Sequence, residues 1–464
     1  MSAAERAIAP PLLPPAEATT HTADPIDPPG PPDPPGPPGP TGPSRRRRFR
    51  LPARRHRLYV LADQGASSLS NVVVTILVAN GSSRGTFGAF AVAMVAYQLA
   101  AGGIRSVAGE PLLSLYADQG PTARRRIVAD IHGTTLFLSV ACSALLAAVS
   151  PVVGGEPGAA LLVLAYVLPL VVLQDTWRYL FIIDRPGVAL TIDMVWLVAV
   201  LAFAPLVPVG APVGQYVLAW GLAGGLGAIV GTTLGWGLPG WPHPWKWLAN
   251  HRDRCGRYFT EFVVANGVTH AGFVALAVIS GAAALGAARA AWVIFGPLAV
   301  MHQGLYLVLV PEGARSRGDL AGLRKKFVLA SAVSMGLTLA WLALTLVVPS
   351  DWGEVLFSDT WAKAEPLLLP MGVAMTAGGA LIGALLGLRS LADSRRSLRA
   401  RLWSTPVLVV APVGGAFLAG APGFVLGYAA ANATAAAIWW VMFELASRHP
   451  SPGEGAGTPA PAAT

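Results

Sequence analysis

The feature that most constrains this chain is a succession of long apolar segments separated by short clusters of charged residues. A helix rises about 1.5 Å per residue, so about 20 apolar residues cross the hydrocarbon core of a bilayer as a helix. Twelve such segments occur, at 58–80, 86–110, 127–153, 158–183, 190–209, 213–235, 258–281, 287–310, 327–349, 366–388, 401–419 and 422–446. The sequence therefore predicts an all-α polytopic membrane protein.

Charge is scarce and unevenly placed in this chain. Only 12% of the residues are charged, whereas a soluble domain carries about 25%. The net charge of +9 comes from short basic blocks beside the apolar segments, which is the pattern of cytoplasmic membrane loops. A nucleic-acid-binding surface would instead gather its basic residues on one face or along one helix. We therefore expect neither a soluble protein nor a nucleic-acid partner.

The sequence carries no catalytic or metal-binding pattern. Cys142 lies in an apolar segment and Cys255 in a basic region, so the two cysteines predict neither a disulfide nor a metal site. Walker, nucleophile-elbow and HExxH motifs are missing, and no pair of histidines has the spacing of metal ligands. We therefore expect a protein that is not an enzyme and uses no cofactor.

The connections between segments alternate in charge, which sets the predicted orientation. Basic residues gather in every second connection, at 124–126, 185, 246–257, 315–326 and 389–401. Because basic loops remain on the cytoplasmic side, both termini are predicted to be cytoplasmic. We expect a multi-pass protein of the cell inner (plasma) membrane whose basic loops contact anionic lipids.

Three regions lie outside the predicted bundles. Residues 1–57 are rich in proline and then basic, so we expect a disordered cytoplasmic tail whose PxxP spacings suit a cytoplasmic partner. We also expect a basic cytoplasmic linker at 236–257 and a second disordered tail at 447–464. These boundaries leave two six-helix bundles, 58–235 and 258–446.

The two halves carry matching sequence features. Pro111 and Pro311 each close the second helix of a half, and a basic cluster begins thirteen residues after each proline. Asp63 and Glu261 lie at nearly the same offset in the first helix of each half. Because each half has an even number of helices, the halves share one orientation and are related by a pseudo-two-fold axis along the membrane normal. This arrangement is typical of transporters.

Polar residues inside the apolar segments are candidate site residues, because they usually face a cavity or another helix. Arg105 and Arg178 suit an anionic group, since a guanidinium binds phosphate oxygens bidentately. Alternatively, these arginines reach the lipid headgroups or pair with carboxylates, and interhelical hydrogen bonding explains the neutral residues equally well. The other predicted substrate-binding residues are Asn71, Gln98, Gln174 and His302, and the predicted ion-coupling residues are Asp63, Asp193 and Glu261.

Several motifs in the first 200 residues occur together: Asp63-Gln64-Gly65, Ser67 to Asn71, Phe87-Gly88-Ala89-Phe90, Glu110 to Leu113, and Gln174 to Tyr179. In these motifs the chain resembles the polysaccharide flippases of the multidrug/oligosaccharidyl-lipid/polysaccharide exporter superfamily. The resemblance implies alternating access between two six-helix bundles and movement of a polyprenyl-linked glycan precursor to the outer leaflet. It also implies a cationic cavity, whereas this chain mixes carboxylates with its arginines.

Other functions fit the same sequence. The carboxylates of Asp63, Asp193 and Glu261 favour a cation-coupled small-molecule exporter of the same superfamily. A major-facilitator transporter also has twelve helices, but the corresponding loop motif here has the wrong spacing and no second copy. A non-transporting membrane scaffold for glycan synthesis would use the proline-rich tail as its working part.

Overall fold

The computed structural model describes residues 53–117, 119, 121–235, 243–347, 351 and 361–448. Most of the predicted proline-rich tail, most of the connection at 348–360 and the C-terminal segment 449–464 lie outside these residues. The side chains of the basic cluster at 124–126 also lie outside the description. The expectations for the tails and for a cytoplasmic partner therefore stay predictions.

The described residues form helices joined by short connections, with two 3-10 turns and no strand. The helices are α1 Ala53–Gly81, α2 Arg84–Val107, α3 Gly109–Leu115, α4 Pro121–Val153, α5 Gly155–Ile182, α6 Pro186–Phe203, α7 Val213–Leu234, α8 Pro244–Ser280, α9 Ala282–Ile294, α10 Gly296–Ala314, α11 Leu320–Val347, α12 Trp361–Ala364, α13 Leu368–Ser390 and α14 Ser394–Arg448.

The helices account for the predicted number of membrane crossings. Among the described residues, ten helical stretches are long and apolar enough to span a bilayer, and α9 with α10, bent by 47°, adds one more. The 55-residue α14 breaks at Ala419 and Gly420, and its arms at 394–418 and 421–448 pack antiparallel, with Arg401 over the Trp439 ring. Counting α14 twice gives the twelve spans, so the all-α polytopic prediction is confirmed.

Several predicted boundaries differ from the structure because charged residues lie inside helices. α8 begins at Pro244, so most of the predicted linker at 236–257 is helical. Arg389 lies in the last turn of α13, and Arg401 lies inside α14. The predicted basic loop at 389–401 is therefore only a three-residue connection. The hydropathy pattern places the end of an apolar segment at each arginine. The helix nevertheless continues, because Arg389 is buried and Arg401 is half-buried between packed helices.

The helices form two lobes, α1–α7 and α8–α14, each built around one central helix. In the N-lobe, α5 packs against α2, α4, α6 and α7, and in the C-lobe α13 packs against α10, α11 and α14. Glycines allow the closest approaches: a Cβ at Gly231 of α7 would lie 2.7 Å from the Cβ of Trp177, and one at Gly383 of α13 would overlap the Phe327 carbonyl oxygen. Small residues at such crossings are typical of helix packing in membranes.

The lobes meet at one end, which we call the basic end because α1 begins there and the basic connections lie there. Arg315 Nε donates to the Ala117 carbonyl and its Nη2 donates to the Ile183 carbonyl, each at 3.1 Å. Arg317 Nη2 donates to the Ser114 carbonyl. Carbonyls at helix C-termini lack partners within the helix and favour positive charge. C-lobe arginines thus cap the C-terminal ends of two N-lobe helices, α3 and α5.

The first part of α8, residues 244–257, lies against the N-lobe at the same end. Trp247 Nε1 and Cys255 Sγ both donate to the Val107 carbonyl, at 3.0 and 3.2 Å. Thr134 Oγ1 donates to the Pro244 carbonyl at 2.8 Å. Among the described residues, the interlobe hydrogen bonds and ion pairs all lie in this half of the helices. The lobes are therefore held together at the basic end.

Candidate functional site

Five charged side chains meet inside the N-lobe, and we call Asp63, Arg105, Asp175, Arg178 and Asp193 the N-lobe cluster. Arg178 Nε lies 2.8 Å from Asp63 Oδ2 and 2.9 Å from Asp193 Oδ2. The side chains of both aspartates are 0% exposed. With all groups ionised, three carboxylates face two guanidiniums. The cluster therefore carries one more negative than positive charge in the low-dielectric interior.

The helix geometry of α5 assembles most of this cluster. Asp175 and Arg178 are three residues apart and so share one face of α5, with Nη1 of the arginine 3.7 Å from Oδ1 of the aspartate. Arg105 of α2 binds Asp175 through two nitrogens, at 2.6 and 3.2 Å. Gln174 Nε2 donates to Asp193 Oδ1 at 2.5 Å. Asp175 thus links α2 to the arginine that binds the two buried aspartates.

Three oxygens in and beside this cluster have no hydrogen-bond donor. Asp63 Oδ1, Asp193 Oδ2 and Gln174 Oε1 are buried, and none accepts a hydrogen bond from the described part of the chain, although Asp193 Oδ2 lies within ion-pair distance of Arg178. Buried polar atoms are almost always paired, so each exception needs an explanation. Carboxylates that lie close together resist full ionisation, because like charges disfavour each other in a low-dielectric site. An added proton would lower the excess negative charge, and on Asp63 it would turn an unpaired acceptor into a donor.

A second cluster crosses between the lobes, and we call Glu110, Tyr258, Glu261, Arg389 and Ser397 the interlobe cluster. Arg389 Nη2 lies 2.8 Å from Glu110 Oε2 of the N-lobe and 3.0 Å from Glu261 Oε1 of its own lobe. Its Nη1 donates to Ser397 Oγ at 3.1 Å. Its guanidinium carbon lies 4.0 Å from the centre of the Tyr258 ring. One arginine thus holds a carboxylate from each lobe.

Tyr179 connects the N-lobe cluster to the lobe interface. Tyr179 of α5 receives a hydrogen bond on its hydroxyl from Gln303 Nε2 of α10, at 3.0 Å. The Arg105 and Arg178 guanidinium carbons lie 5.8 and 6.0 Å from the centre of the Tyr179 ring. A rearrangement of either arginine would therefore affect Tyr179, and Tyr179 is hydrogen-bonded directly to the C-lobe helix α10.

The structure brings together some predicted site residues and separates others. His302 lies in the C-lobe, where Nε2 is 2.6 Å from Ser334 Oγ. Asn71 and Gln98 are exposed, and the Asn71 amide donates to the carbonyl of Ser67 on its own helix at 3.1 Å. Both arginines predicted to bind an anion have carboxylate partners, which was the alternative interpretation. The predicted residues in or beside the N-lobe cluster are Asp63, Arg105, Gln174, Arg178 and Asp193, while Glu261 is in the interlobe cluster. Their roles in binding substrate or ions stay predictions.

The residues that join the lobes were not predicted from the sequence. Glu110 was part of a motif with no assigned role, Arg389 was predicted to lie in a loop, and Tyr179 and Gln303 had no predicted interlobe contact. The available signal was a carboxylate at the end of the second apolar segment together with an arginine at the end of the tenth. Hydropathy does not show that two such ends meet.

Comparison with known proteins identifies the fold. No family model matches the chain, and no curated protein matches it. The chain is similar to a MOP superfamily transporter from Pyrococcus furiosus, with a TM-score of 0.70 at 14% identity over 86% of this chain and 96% of that transporter. The reversed polarity of that transporter's binding pocket suggests a different function for it. An outward-facing multidrug resistance MATE family transporter of the MOP superfamily matches with a TM-score of 0.69 at 14% identity, over 85% and 95%.

A MATE structure in the bent conformation matches with a TM-score of 0.63 at 14% identity, over 85% of this chain and 95% of its own. At this identity the matches show the fold. The chain has the two-lobe, all-helical fold of MATE transporters of the MOP superfamily. The predicted superfamily fold is therefore confirmed, whereas the polysaccharide flippase family within it is not.

Proposed function

We propose that this chain is a membrane transporter that works by alternating access of its two lobes and is coupled to a cation, which we take to be a proton. The fold it shares with known transporters supports the first part. The position of the interlobe contacts supports it further, because lobes held together at the basic end have a defined set of bonds to break in order to open there. The preferred function is therefore the cation-coupled exporter, which the sequence left as an alternative, and its coupling rests on the N-lobe cluster.

The observation that carries the coupling proposal is the sharing of Arg178 Nε by Asp63 and Asp193, at 2.8 and 2.9 Å. Because the guanidinium already lies between these carboxylates, a proton fits the site more easily than a hydrated metal ion. Protonation of either aspartate would remove the excess negative charge and weaken its hold on Arg178. The arginine would then favour its remaining partners, which include Asp175 and Gln64.

Coupling requires that the protonated and unprotonated clusters prefer different arrangements of the lobes. Tyr179 provides the physical link, since its ring lies beside both arginines and its hydroxyl accepts a hydrogen bond from Gln303 of the other lobe. A change in the guanidinium positions shifts this ring and alters the interlobe bond. In this mechanism Asp63 and Asp193 carry the proton and Arg178 transmits its presence.

The movement of a polyprenyl-linked glycan precursor is the second candidate function, and the motifs at Asp63 to Gly65 and Gln174 to Tyr179 favour it. For this substrate, Arg105 and Arg178 would exchange their carboxylate partners for pyrophosphate oxygens. The two candidates share the alternating-access mechanism and differ in the cargo. They are separated by giving the same purified chain both kinds of cargo.

Reconstitution of the full chain in liposomes tests both candidates. Ethidium and a short polyprenyl-pyrophosphate-linked sugar serve as probes, and transport of each is measured under a pH gradient, a sodium gradient or neither. We expect the wild-type chain to transport ethidium in proportion to the pH gradient. In Asp193→Asn, ethidium transport should no longer depend on the pH gradient. Glu156→Gln is the matched control, because Glu156 accepts a hydrogen bond from Thr86 far from the cluster. Transport of the sugar lipid alone would favour the second candidate. Full pH-driven transport by Asp63→Asn/Asp193→Asn would contradict the coupling site.

A further inference from the structure

Arg401 of α14 is a half-buried arginine within a membrane-spanning helix that has no ionic partner among the described residues. Its Nε is buried and donates to no acceptor, and no carboxylate of the described chain forms an ion pair with its guanidinium. Arg105, Arg178 and Arg389 differ, since each is paired with at least one carboxylate. Ionisable residues inside a membrane segment are costly without a partner and commonly mark a functional site.

The surroundings of Arg401 hold the guanidinium in place without neutralising it. Its carbon lies 5.2 Å from the centre of the Trp439 ring on the opposite arm of α14, which is within the range of a cation–π contact. The Trp439 Nε1 is likewise buried and has no acceptor in the described chain. Arg401 Nε and Trp439 Nε1 are therefore neighbouring N–H donors for which the described residues provide no acceptor.

The carboxylate of Glu261 is already engaged. Ser397, one turn before Arg401 on the same helix, donates to Glu261 Oε2 at 2.8 Å, so this part of α14 faces α8. Glu261 Oε1 is held by Arg389 at 3.0 Å. Both oxygens of Glu261 thus have partners, and Arg401 lies next to the interlobe cluster as an additional positive charge.

We propose that Arg401 binds the anionic group of an amphiphilic ligand, a phosphate or a carboxylate, in the C-lobe between α14 and α8. A guanidinium offers a planar pair of donors that suits such oxygens, and Trp439 orients it. As the cargo of a transporter, an amphiphilic anion rests on the alternating access proposed above and belongs with the second candidate function, the polyprenyl-linked precursor. The binding site itself stands on the unpaired arginine alone. The same phosphate chemistry has two sources, a transported amphiphile or the headgroup of an anionic bilayer lipid.

Equilibrium binding in nanodiscs of pure phosphatidylcholine tests the site without any gradient. The probes are radiolabelled farnesyl phosphate and its neutral parent farnesol, each titrated onto the full chain. Arg401→Gln removes the charge, Arg401→Lys keeps the charge but loses the planar pair of donors, and Arg399→Gln is the matched control because Arg399 is exposed two residues away on the same helix. Thermal unfolding of each variant confirms that equal amounts of folded protein are compared.

We expect the wild-type chain to prefer farnesyl phosphate to farnesol, and Arg401→Gln to weaken binding of the phosphate about tenfold or more, as for loss of a hydrogen bond to a charged group. Arg401→Lys should lose less, and Arg399→Gln should bind as the wild type does. If phosphatidylglycerol added to the nanodisc competes with farnesyl phosphate, the natural source of the anionic group is a lipid headgroup. If phosphatidylglycerol does not compete, the source is a transported amphiphile.

Equal binding of the phosphate and the alcohol by the wild-type chain would overturn the proposal, as would unchanged phosphate binding by folded Arg401→Gln. If Arg401→Gln does not fold, the Arg401→Lys titration and the wild-type preference decide. Because no gradient is used, failure of proton coupling would leave this result unaffected. A chain that binds the phosphate but transports nothing would contradict the proposed function and leave the site in place.

Discussion

Arg389 of the C-lobe and Glu110 of the N-lobe form an ion pair of 2.8 Å across the lobe interface. The same guanidinium lies 3.0 Å from Glu261 of its own lobe. Removing one partner of a buried pair is usually severe because a charge is left alone. Here loss of Glu110 would leave Arg389 with Glu261, so the interlobe bond can be broken without leaving that arginine unpaired.

Glu110→Gln should therefore loosen the lobes at the basic end while the chain remains folded. Cys255 reports this opening, because it is 3% exposed and its Sγ donates across the interface to the Val107 carbonyl at 3.2 Å. In a Cys142→Ser background, we expect Glu110→Gln to raise the rate at which N-ethylmaleimide labels Cys255 several-fold. Glu156→Gln, whose carboxylate bonds Thr86 within the N-lobe, should not change the rate. Equal rates in the two variants would show that the ion pair does not hold the interface.

The close crossing of α11 and α13 gives a prediction for stability. A Cβ at Gly383 would overlap the Phe327 carbonyl oxygen, and a backbone atom cannot move aside as a flexible side chain can. We expect Gly383→Ala to destabilise the chain by about 1–3 kcal/mol or more, as overpacking does. Gly336→Ala, on α11 with open space around the new methyl group, should cause no loss. Thermal unfolding of the two variants in the same detergent makes the comparison, and equal melting temperatures would contradict the packing argument.

Much of the fold follows from the sequence because hydrophobic length alone determines a membrane helix. The first apolar segment at 58–80 corresponds to α1. Pro111 and Pro311 were predicted to close their helices, but α3 continues from Pro111 to Leu115 and α10 from Pro311 to Ala314. The boundaries fail where arginines continue a helix, as at Arg389 and Arg401. A hydropathy pattern cannot tell a charge that lies between packed helices, whether paired as Arg389 is or unpaired as Arg401 is, from a charge in a loop.

The candidate site was less accessible to sequence reasoning, because pairing is a property of three dimensions. Asp63 and Asp193 were selected singly as intramembrane carboxylates, but only the fold places both within 2.9 Å of one Arg178 nitrogen. Helical spacing did bring Asp175 and Arg178 to one face of α5. The contact between Glu110 and Arg389 joins residues from different lobes, so no local spacing could indicate it.

The orientation of the chain in the membrane is still a prediction from loop charge, and two exposed positions test it. Val209 is 88% exposed in the connection after α6, and the Arg252 side chain is 85% exposed in the part of α8 at the basic end. In a chain with both native cysteines changed to serine, an impermeant maleimide should label Val209→Cys in intact cells. Arg252→Cys should be labelled only after the membrane is permeabilised. Labelling of Arg252→Cys in intact cells would reverse the orientation.

Arg178 should contribute more to stability than any exposed arginine, because it partners two carboxylates that are 0% exposed. Arg178→Ala leaves Asp63 and Asp193 buried without a counter-charge, and loss of one member of a buried pair costs about 3–5 kcal/mol. Arg57→Ala is the control, since its side chain is 51% exposed and pairs with Glu312 at 2.7 Å, a class of ion pair worth about 0–1 kcal/mol. Adding Asp193→Asn to Arg178→Ala should restore part of the loss, because it removes one of the uncompensated charges. Melting temperatures and the yield of folded protein in detergent measure all three variants, and an Arg178→Ala chain as stable as Arg57→Ala would show that the aspartates are already neutral in the folded chain.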